Sequence, residues 1–225
     1  MSNLLPIDFH THLNNEAPGR DPGVWKVVSL DLAHRDLVLP ENCLATLELH
    51  PWQGDIFSEE FARSAAAEKF IGIGEAGLDR IRGKLPLPEQ IAIFRRTVEL
   101  ACKLNKPLTV HCVKCFSELL ELKKHLEWQV PTIIHYFRNN LKLAQQLWTQ
   151  TDFYLSLPPG VPAEVLDFLR SNPEYLSRIV LETDDPDGDI AAHYTFTAQK
   201  LAISPEKLTG FMHEQFQRIY HVNRQ

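Results

Sequence analysis

The chain has 225 residues and a formal net charge of −6, which is long enough to bury a full core and within the range where α/β barrels run as one domain. The acidic balance gives no basic footprint and so excludes retention on nucleic acid by bulk charge; any such binding would be local and metal-assisted. No run of about eighteen apolar residues occurs and Met1 to Asn3 carry no basic leader, so no membrane partner is expected, and the cytoplasm is the expected location.

In chain order, Leu4, Leu5 and Ile7 read as a short buried strand. At its end, alternation sends Asp8, His10 and His12 to one side of the backbone. Two imidazoles one residue apart at a strand terminus can hold one divalent ion; a solvated polar turn is the bland alternative. Asn14 to Gly23, broken by Pro18 and Pro22, reads as loop. Trp25 to Leu30 is a β-branched apolar run and a second strand, and Cys43 to Leu49 alternates as a third, ending in His50-Pro51-Trp52. Ser58 is a plausible N-cap for a helix to about Lys69. Phe70 to Gly74 is a fourth strand delivering Glu75, with Ala76-Gly77-Leu78-Asp79 continuing as loop.

From Pro88 to about Asn105 apolar residues recur at helical spacing. Leu108 to Val110 is then a strand delivering His111, followed by a helix from about Cys115 to Leu126. Thr132 to Ile134 delivers His135, and a helix over Asn140 to Thr149 leads to the strand Phe153 to Leu157. Pro162 to Arg170 is helical, Ile179 to Leu181 is a strand delivering Glu182, Thr183 and Asp184, and helices near Ala192 to Leu201 and from Ser204 to about Tyr220 close the chain. Eight strands separated mostly by helices predict a TIM-type (β/α)8 barrel, trimmed in its first two crossovers and forming a single domain over residues 1–225.

Asp8, His10, His12, Glu75, His111, His135 and Asp184 all fall at carboxyl ends of predicted strands, which converge on one mouth in a barrel. Four histidines, a glutamate and an aspartate are the ligand set that two divalent ions need, with a carboxylate able to bridge them. A satisfied polar strand end explains any one of these residues, but not the whole set.

The segments Asp8-Phe9-His10-Thr11-His12, Leu49-His50-Pro51-Trp52, Gly74-Glu75-Ala76-Gly77-Leu78-Asp79, Val110-His111, Ile134-His135-Tyr136-Phe137 and Leu181-Glu182-Thr183-Asp184-Asp185-Pro186 resemble the TatD family of metal-dependent deoxyribonucleases, of the amidohydrolase-like superfamily. The resemblance spans nearly the whole chain. It implies a hydrolase that cleaves phosphodiesters in DNA with two divalent ions, among Zn, Mn, Mg, Co and Ni. Carried over, His10 and His12 hold one metal, His111 and His135 the second, Glu75 bridges them, and Asp184 binds the first metal and moves a proton.

Two motifs depart from the family pattern. His111 is followed by Cys112-Val113-Lys114 where relatives commonly carry Ser-Arg, which makes Lys114 a candidate phosphate contact without the bidentate fork of arginine. His135-Tyr136-Phe137-Arg138 replaces His-Cys-Phe-Ser, with Arg138 a second candidate or a solvated side chain. Asp8 is expected to orient His10 or His12 from behind, His50 to meet substrate or pack at its strand end, and Asp79 with Arg80 to shape the pocket or pair within a loop. Cys112 and Cys115 are expected to be structural thiols, and the four cysteines form no secreted disulfide framework. His34, His125, His193, His213 and His221 are expected in surface or core roles. The rival functions are hydrolysis of a small lactone, amide or phosphoester, and a non-catalytic barrel acting as an interaction subunit. A monomer is the default expectation.

Overall fold

In the computed structural model, which describes residues 4–13, 23–54 and 56–221, eight strands form one sheet in sequence order with every neighbouring pair parallel. They are β1 (Ile7–Thr11), β2 (Trp25–Leu30), β3 (Cys43–Leu49), β4 (Phe70–Asp79), β5 (Leu108–Val113), β6 (Thr132–Ile134), β7 (Tyr154–Leu157) and β8 (Ile179–Leu181). Around them run α1 (Glu59–Ala65), α2 (Leu87–Leu104), α3 (Phe116–His125), α4 (Leu141–Gln150), α5 (Ala163–Ser171), α6 (Ile190–Leu201) and α7 (Pro205–Tyr220). This is the expected TIM-type barrel. Residues 31–42, between β2 and β3, hold no helix, as the trimmed crossover requires. The loop expected over residues 14–23 falls, but for Gly23, outside the described residues.

Local chemistry sets the helix ends. Ser58, Asn140, Asp189 and Ser204 each accept an amide of the first helical turn, and Asn105 ends α2 in the left-handed conformation at φ 50°. The Asp189 cap starts α6 two residues before the expected Ala192. A 3-10 turn over Pro173–Arg178, not expected from the sequence, precedes β8. Phe61, Phe94 and Phe153 are fully buried between sheet and helices, each worth roughly 1.5–3 kcal/mol against exposure.

The first strand begins at Ile7 rather than Leu4, which is exposed. Two other strands run further than expected and carry their functional residues within them. β4 continues through Asp79, pairing Gly77 with His111 and Asp79 with Val113 after a register shift between Ile73 and Ala76. Glycine makes the continuation possible: a Cβ on Gly77 would stand 1.9 Å from the His111 carbonyl oxygen, and one on Gly74 would stand 2.2 Å from that of Thr109. The segment Ala76-Gly77-Leu78-Asp79, expected as loop, is therefore strand pressed against β5. Among the described residues no helix is long and apolar enough to cross a membrane.

Candidate metal centre

Glu75 is the hub of the barrel mouth. It is buried at the register shift of β4, and its two carboxylate oxygens face different sets of imidazoles. Oε1 lies 3.1 Å from His10 Nε2 and 3.0 Å from His12 Nε2, both carried by the β1 end. Oε2 lies 3.0 Å from His111 Nδ1 on β5 and 2.7 Å from His135 Nε2, just past β6. Asp184, following β8, brings Oδ1 to 3.2 Å from His12 Nε2 and 3.5 Å from His10 Nε2. Ligand atoms about 2.0–2.2 Å from a shared tetrahedral ion stand roughly 3.3 Å apart, so these separations fit shared cations. Asp184 Oδ1 is moreover buried without a hydrogen bond. The six residues picked from the sequence thus meet in one cluster.

His50 joins them. Its Nε2 lies 3.4 Å from Glu75 Oε2, and among the described residues His50, Glu75 and His111 form one of three groups whose ligand atoms fall within 4.8 Å of one another. The other groups are His10 with Glu75, His135 and Asp184, and His12 with Glu48 and Glu75.

An outer ring of carboxylates sits behind the imidazoles. Asp79 Oδ2 is 3.0 Å from His111 Nε2, Glu182 Oε1 is 3.3 Å from His135 Nδ1, and Glu48 Oε2 is 4.0 Å from His12 Nδ1. Such partners fix ring orientation. Asp79 also accepts the Trp52 indole N–H at 2.6 Å and the Ile81 and Arg82 amides. The role of Glu48, and that of Glu182 behind His135, are not among the expectations from the sequence. The available signal was a carboxylate set inside or directly after an apolar strand, Leu47-Glu48-Leu49 and Ile179-Val180-Leu181-Glu182. Asp8 departs from its expected role: it touches neither ring, and its carboxylate instead accepts the Thr183 amide and hydroxyl and, at 3.4 Å, the His10 amide.

Charge follows from this crowding. Burial opposes protonation of His10 and His12, but Glu75 and Asp184 outweigh it and raise them to about 9 and about 10. Burial would raise Glu75 and Asp184, yet the facing imidazoles hold both below the usual carboxylate range. For Asp79 burial acts likewise and is outweighed by Trp52, Arg82 and His111, leaving it at about 2. The cluster is built to hold positive charge against buried carboxylates.

The cluster floors a cavity of about 400 Å³ lined by His12, Glu48, His50, Trp52, Gln53, Glu75, His111, His135 and Asp184. Neither Lys114 nor Arg138 belongs to that lining. Lys114 is exposed beyond β5 with its carbonyl taken by Arg80, and Arg138 stands beside Tyr136 on the outer mouth. The Cys112 and Cys115 thiols are both pushed up by burial and are free, which suits packing. His34 pairs with Asp31 at 2.8 Å beside a smaller cavity next to His12, while His193 and His213 bond backbone carbonyls.

A family model described as TatD related DNase matches residues 7–221. The chain belongs to the TatD family. Among its relatives, the human 3'-5' RNA nuclease TATDN2 is 30% identical over 151 residues, 61% of this chain and 19% of that one. The 3'-5' ssDNA/RNA exonuclease TatD of Pectobacterium parmentieri is 31% identical over 107 residues, 45% of this chain and 41% of the relative. The matches thus span less than half the length of either nuclease. An uncharacterised metal-dependent hydrolase of Escherichia coli, YcfH, is 26% identical over 208 residues, 84% of this chain and 78% of its own. The crystal structure of a TatD family hydrolase from Entamoeba histolytica superposes with a TM-score of 0.78 at 15% identity, over 98% of this chain and 99% of that one, and shares the fold. The description of the Escherichia coli relative as a metal-dependent hydrolase is in keeping with the ligand cluster at this chain's barrel mouth.

Proposed function

We propose that this TatD protein hydrolyses phosphodiester bonds in DNA with two divalent ions, and that the chain forms one catalytic domain acting as a monomer. The observation that carries the reading is the division of Glu75, one carboxylate oxygen turned to His10 and His12 and the other to His111 and His135. His10, His12 and Asp184 would hold one ion, His111 and His135 the other, and Glu75 both. Divalent ions bound there supply Lewis acidity, making a water easier to deprotonate and neutralising phosphate oxygens. Several imidazoles favour Zn, Mn, Co or Ni over Mg alone.

Asp184 takes the proton of the attacking water as general base. Its side chain is 26% exposed, so one edge meets solvent while Oδ1 faces the imidazoles. The backbone holds it there: Asp184 sits at φ 58°, a conformation disfavoured for a residue with a side chain, and its amide donates to the His10 carbonyl at 3.1 Å. His50 and Trp52 form the substrate side of the cavity. The names of the human and Pectobacterium relatives support a nucleic-acid substrate.

The test is metal content followed on the same sample by hydrolysis of single-stranded DNA with and without Mg or Mn, for wild type, Glu75→Ala and Asp184→Ala. Metal-dependent cleavage lost in both variants supports the reading. Bound metal without DNA cleavage transfers it to a small lactone, amide or phosphoester, a substrate that the carboxylates of the cavity wall accommodate more readily than a polyanion. Neither metal nor cleavage leaves an interaction subunit.

A further inference from the structure

Two arginines stand on the rim of the mouth, each paired with an aromatic ring. The Arg82 guanidinium lies 3.5 Å from the centroid of the Trp52 ring. That of Arg138 lies 5.7 Å from the Tyr136 ring and donates to the Tyr136 hydroxyl at 3.4 Å. Both arginines are exposed. Among the described residues neither is ion-paired with a carboxylate, whereas the neighbouring Arg80 is tied to Glu118. A guanidinium over a ring keeps its charge, and those of its N–H groups that are not otherwise bonded can donate to an anion.

The rings give these charges a place relative to the reacting centre. Trp52, just past β3, lines the cavity over the cluster; Tyr136, just past β6, lines a second cavity of about 390 Å³ with Pro159, Thr183 and Pro186. Asp184 borders both cavities, so the two cation and ring pairs stand on different sides of the proposed base, three strands apart around the barrel. Each pair offers a guanidinium for a phosphate, and the exposed Tyr136 ring also offers a face for a base, while Trp52, covered by Arg82 and met by the His50 and His111 rings, holds its guanidinium beside the cavity. Between them the floor carries Glu48, Glu75 and Asp184, so the chain's own attraction for phosphate lies at the two ends and not at the centre.

We infer that Arg82 with Trp52 and Arg138 with Tyr136 are two nucleotide-binding stations that together hold one strand across the mouth, from one to the other. Bases in a duplex are stacked on each other and present no free face to a protein ring, and a mononucleotide spans only one station. The inference rests on the phosphodiesterase reading for its place in a reaction, but the stations are tested by binding alone.

The experiment is fluorescence anisotropy of a labelled, cleavage-resistant phosphorothioate single strand of about 12 nucleotides, a length within the usual range of such sites. The metal-loaded protein is titrated across a range of salt concentrations. Arg82→Gln and Arg138→Gln are each expected to weaken binding roughly 3- to 10-fold and to flatten the log–log salt dependence by about 0.7, the contribution of one phosphate contact on a single strand. Arg82→Lys is expected to keep the salt slope and recover part of the affinity, since it retains the charge without the fork. Tyr136→Leu is expected to weaken binding roughly 10-fold with the slope unchanged, because stacking releases no counterions. Unaltered melting temperature and metal content establish that these exposed variants fold. The inference is overturned if wild type fails to bind the strand, binds duplex equally well, or if both arginine variants keep its affinity and salt slope. Strand binding that needs both stations, in a protein that cleaves no phosphodiester, would uphold the stations and remove the nuclease reading.

Discussion

Asp8 accepts two hydrogen bonds from Thr183, one from its backbone N–H at 3.0 Å and one from its hydroxyl at 2.6 Å. Among the described residues no strand ladder joins β8 to β1, so this side chain, with the Asp184 amide on the His10 carbonyl, closes the barrel seam. The closure also sets the distance between the β1 histidines and Asp184. Asp8→Ala would leave the buried Thr183 and His10 amides without this acceptor, each costing about 1–3 kcal/mol, while the Thr183 hydroxyl keeps the Asp185 carbonyl at 2.9 Å. Urea unfolding of the chelator-treated protein should show a loss of roughly 2–4 kcal/mol. Asp8→Asn should lose less: burial already pushes the Asp8 carboxyl up to about 7 against the pull of Thr183, and a neutral amide still offers one acceptor. Equal losses for Ala and Asn would show that the charge rather than the acceptor holds the seam.

Strand ends were legible where apolar runs stop at polar residues, and the six clustered side chains follow from that rule: His10, His12, Glu75, His111, His135 and Asp184 all meet as their positions required. What periodicity could not carry is direction in space. Gly77 reads as a loop former because composition does not record that β5 lies close enough for a Cβ to collide with its carbonyls. Asp8 shares a strand face with His10 and His12 in sequence, yet its partner, Thr183, is 175 residues away. Glu48, flanked by leucines, reads as strand context, and Glu182 as a polar strand end, unless the imidazole in front of each is known.

Gly77→Ala tests the close approach of β4 and β5. A methyl group would begin 1.9 Å from the His111 carbonyl oxygen, with backbone on all three nearest contacts, so no side chain can swing aside. The strands would have to separate where Glu75 and His111 are held. We expect a loss of about 3 kcal/mol or more, among the larger effects of single substitutions, seen as a lower urea midpoint. By contrast Gly210→Ala, on the helix α7 with open space around it, should stabilise by about 0.4–1 kcal/mol. A tolerated Gly77→Ala would mean that the two strands can part without cost.

Asp79 tests the outer ring of carboxylates. It holds His111 from behind while accepting the Trp52 indole and two amides of the following turn. Asp79→Asn preserves the shape but removes the charge that makes His111 a better donor to a cation. Loss of such a partner typically weakens metal affinity by about 10- to 100-fold. Competition with a chromophoric chelator should resolve this as one weakened ion, because His10 and His12 lie on the far side of Glu75. Uniform weakening of all bound metal would argue against separate ligand sets, and unchanged affinity would remove Asp79 from the centre.

Removing the metal tests the hub itself. The imidazoles raised by Glu75 and Asp184 give those buried carboxylates some compensation, so the barrel should remain folded without cations. Each ion that binds only the folded chain nevertheless adds about 2.7 kcal/mol at a hundredfold excess over Kd. For a chain of this length that corresponds to roughly 5–10 °C in melting temperature per ion. Chelator should therefore lower the thermal midpoint by about twice that amount when both sites are filled, and added Zn or Mn should restore it. In Glu75→Gln one carboxylate oxygen becomes an amide nitrogen that cannot accept a cation, so one imidazole pair loses its shared ligand. The expected result is a chelator-induced shift reduced by about half or more with a melting curve that stays cooperative. If Glu75→Gln instead kept the full shift and full metal content, the two ligand sets would not depend on the bridge, and the division of Glu75 between them would be only a hydrogen-bonding arrangement.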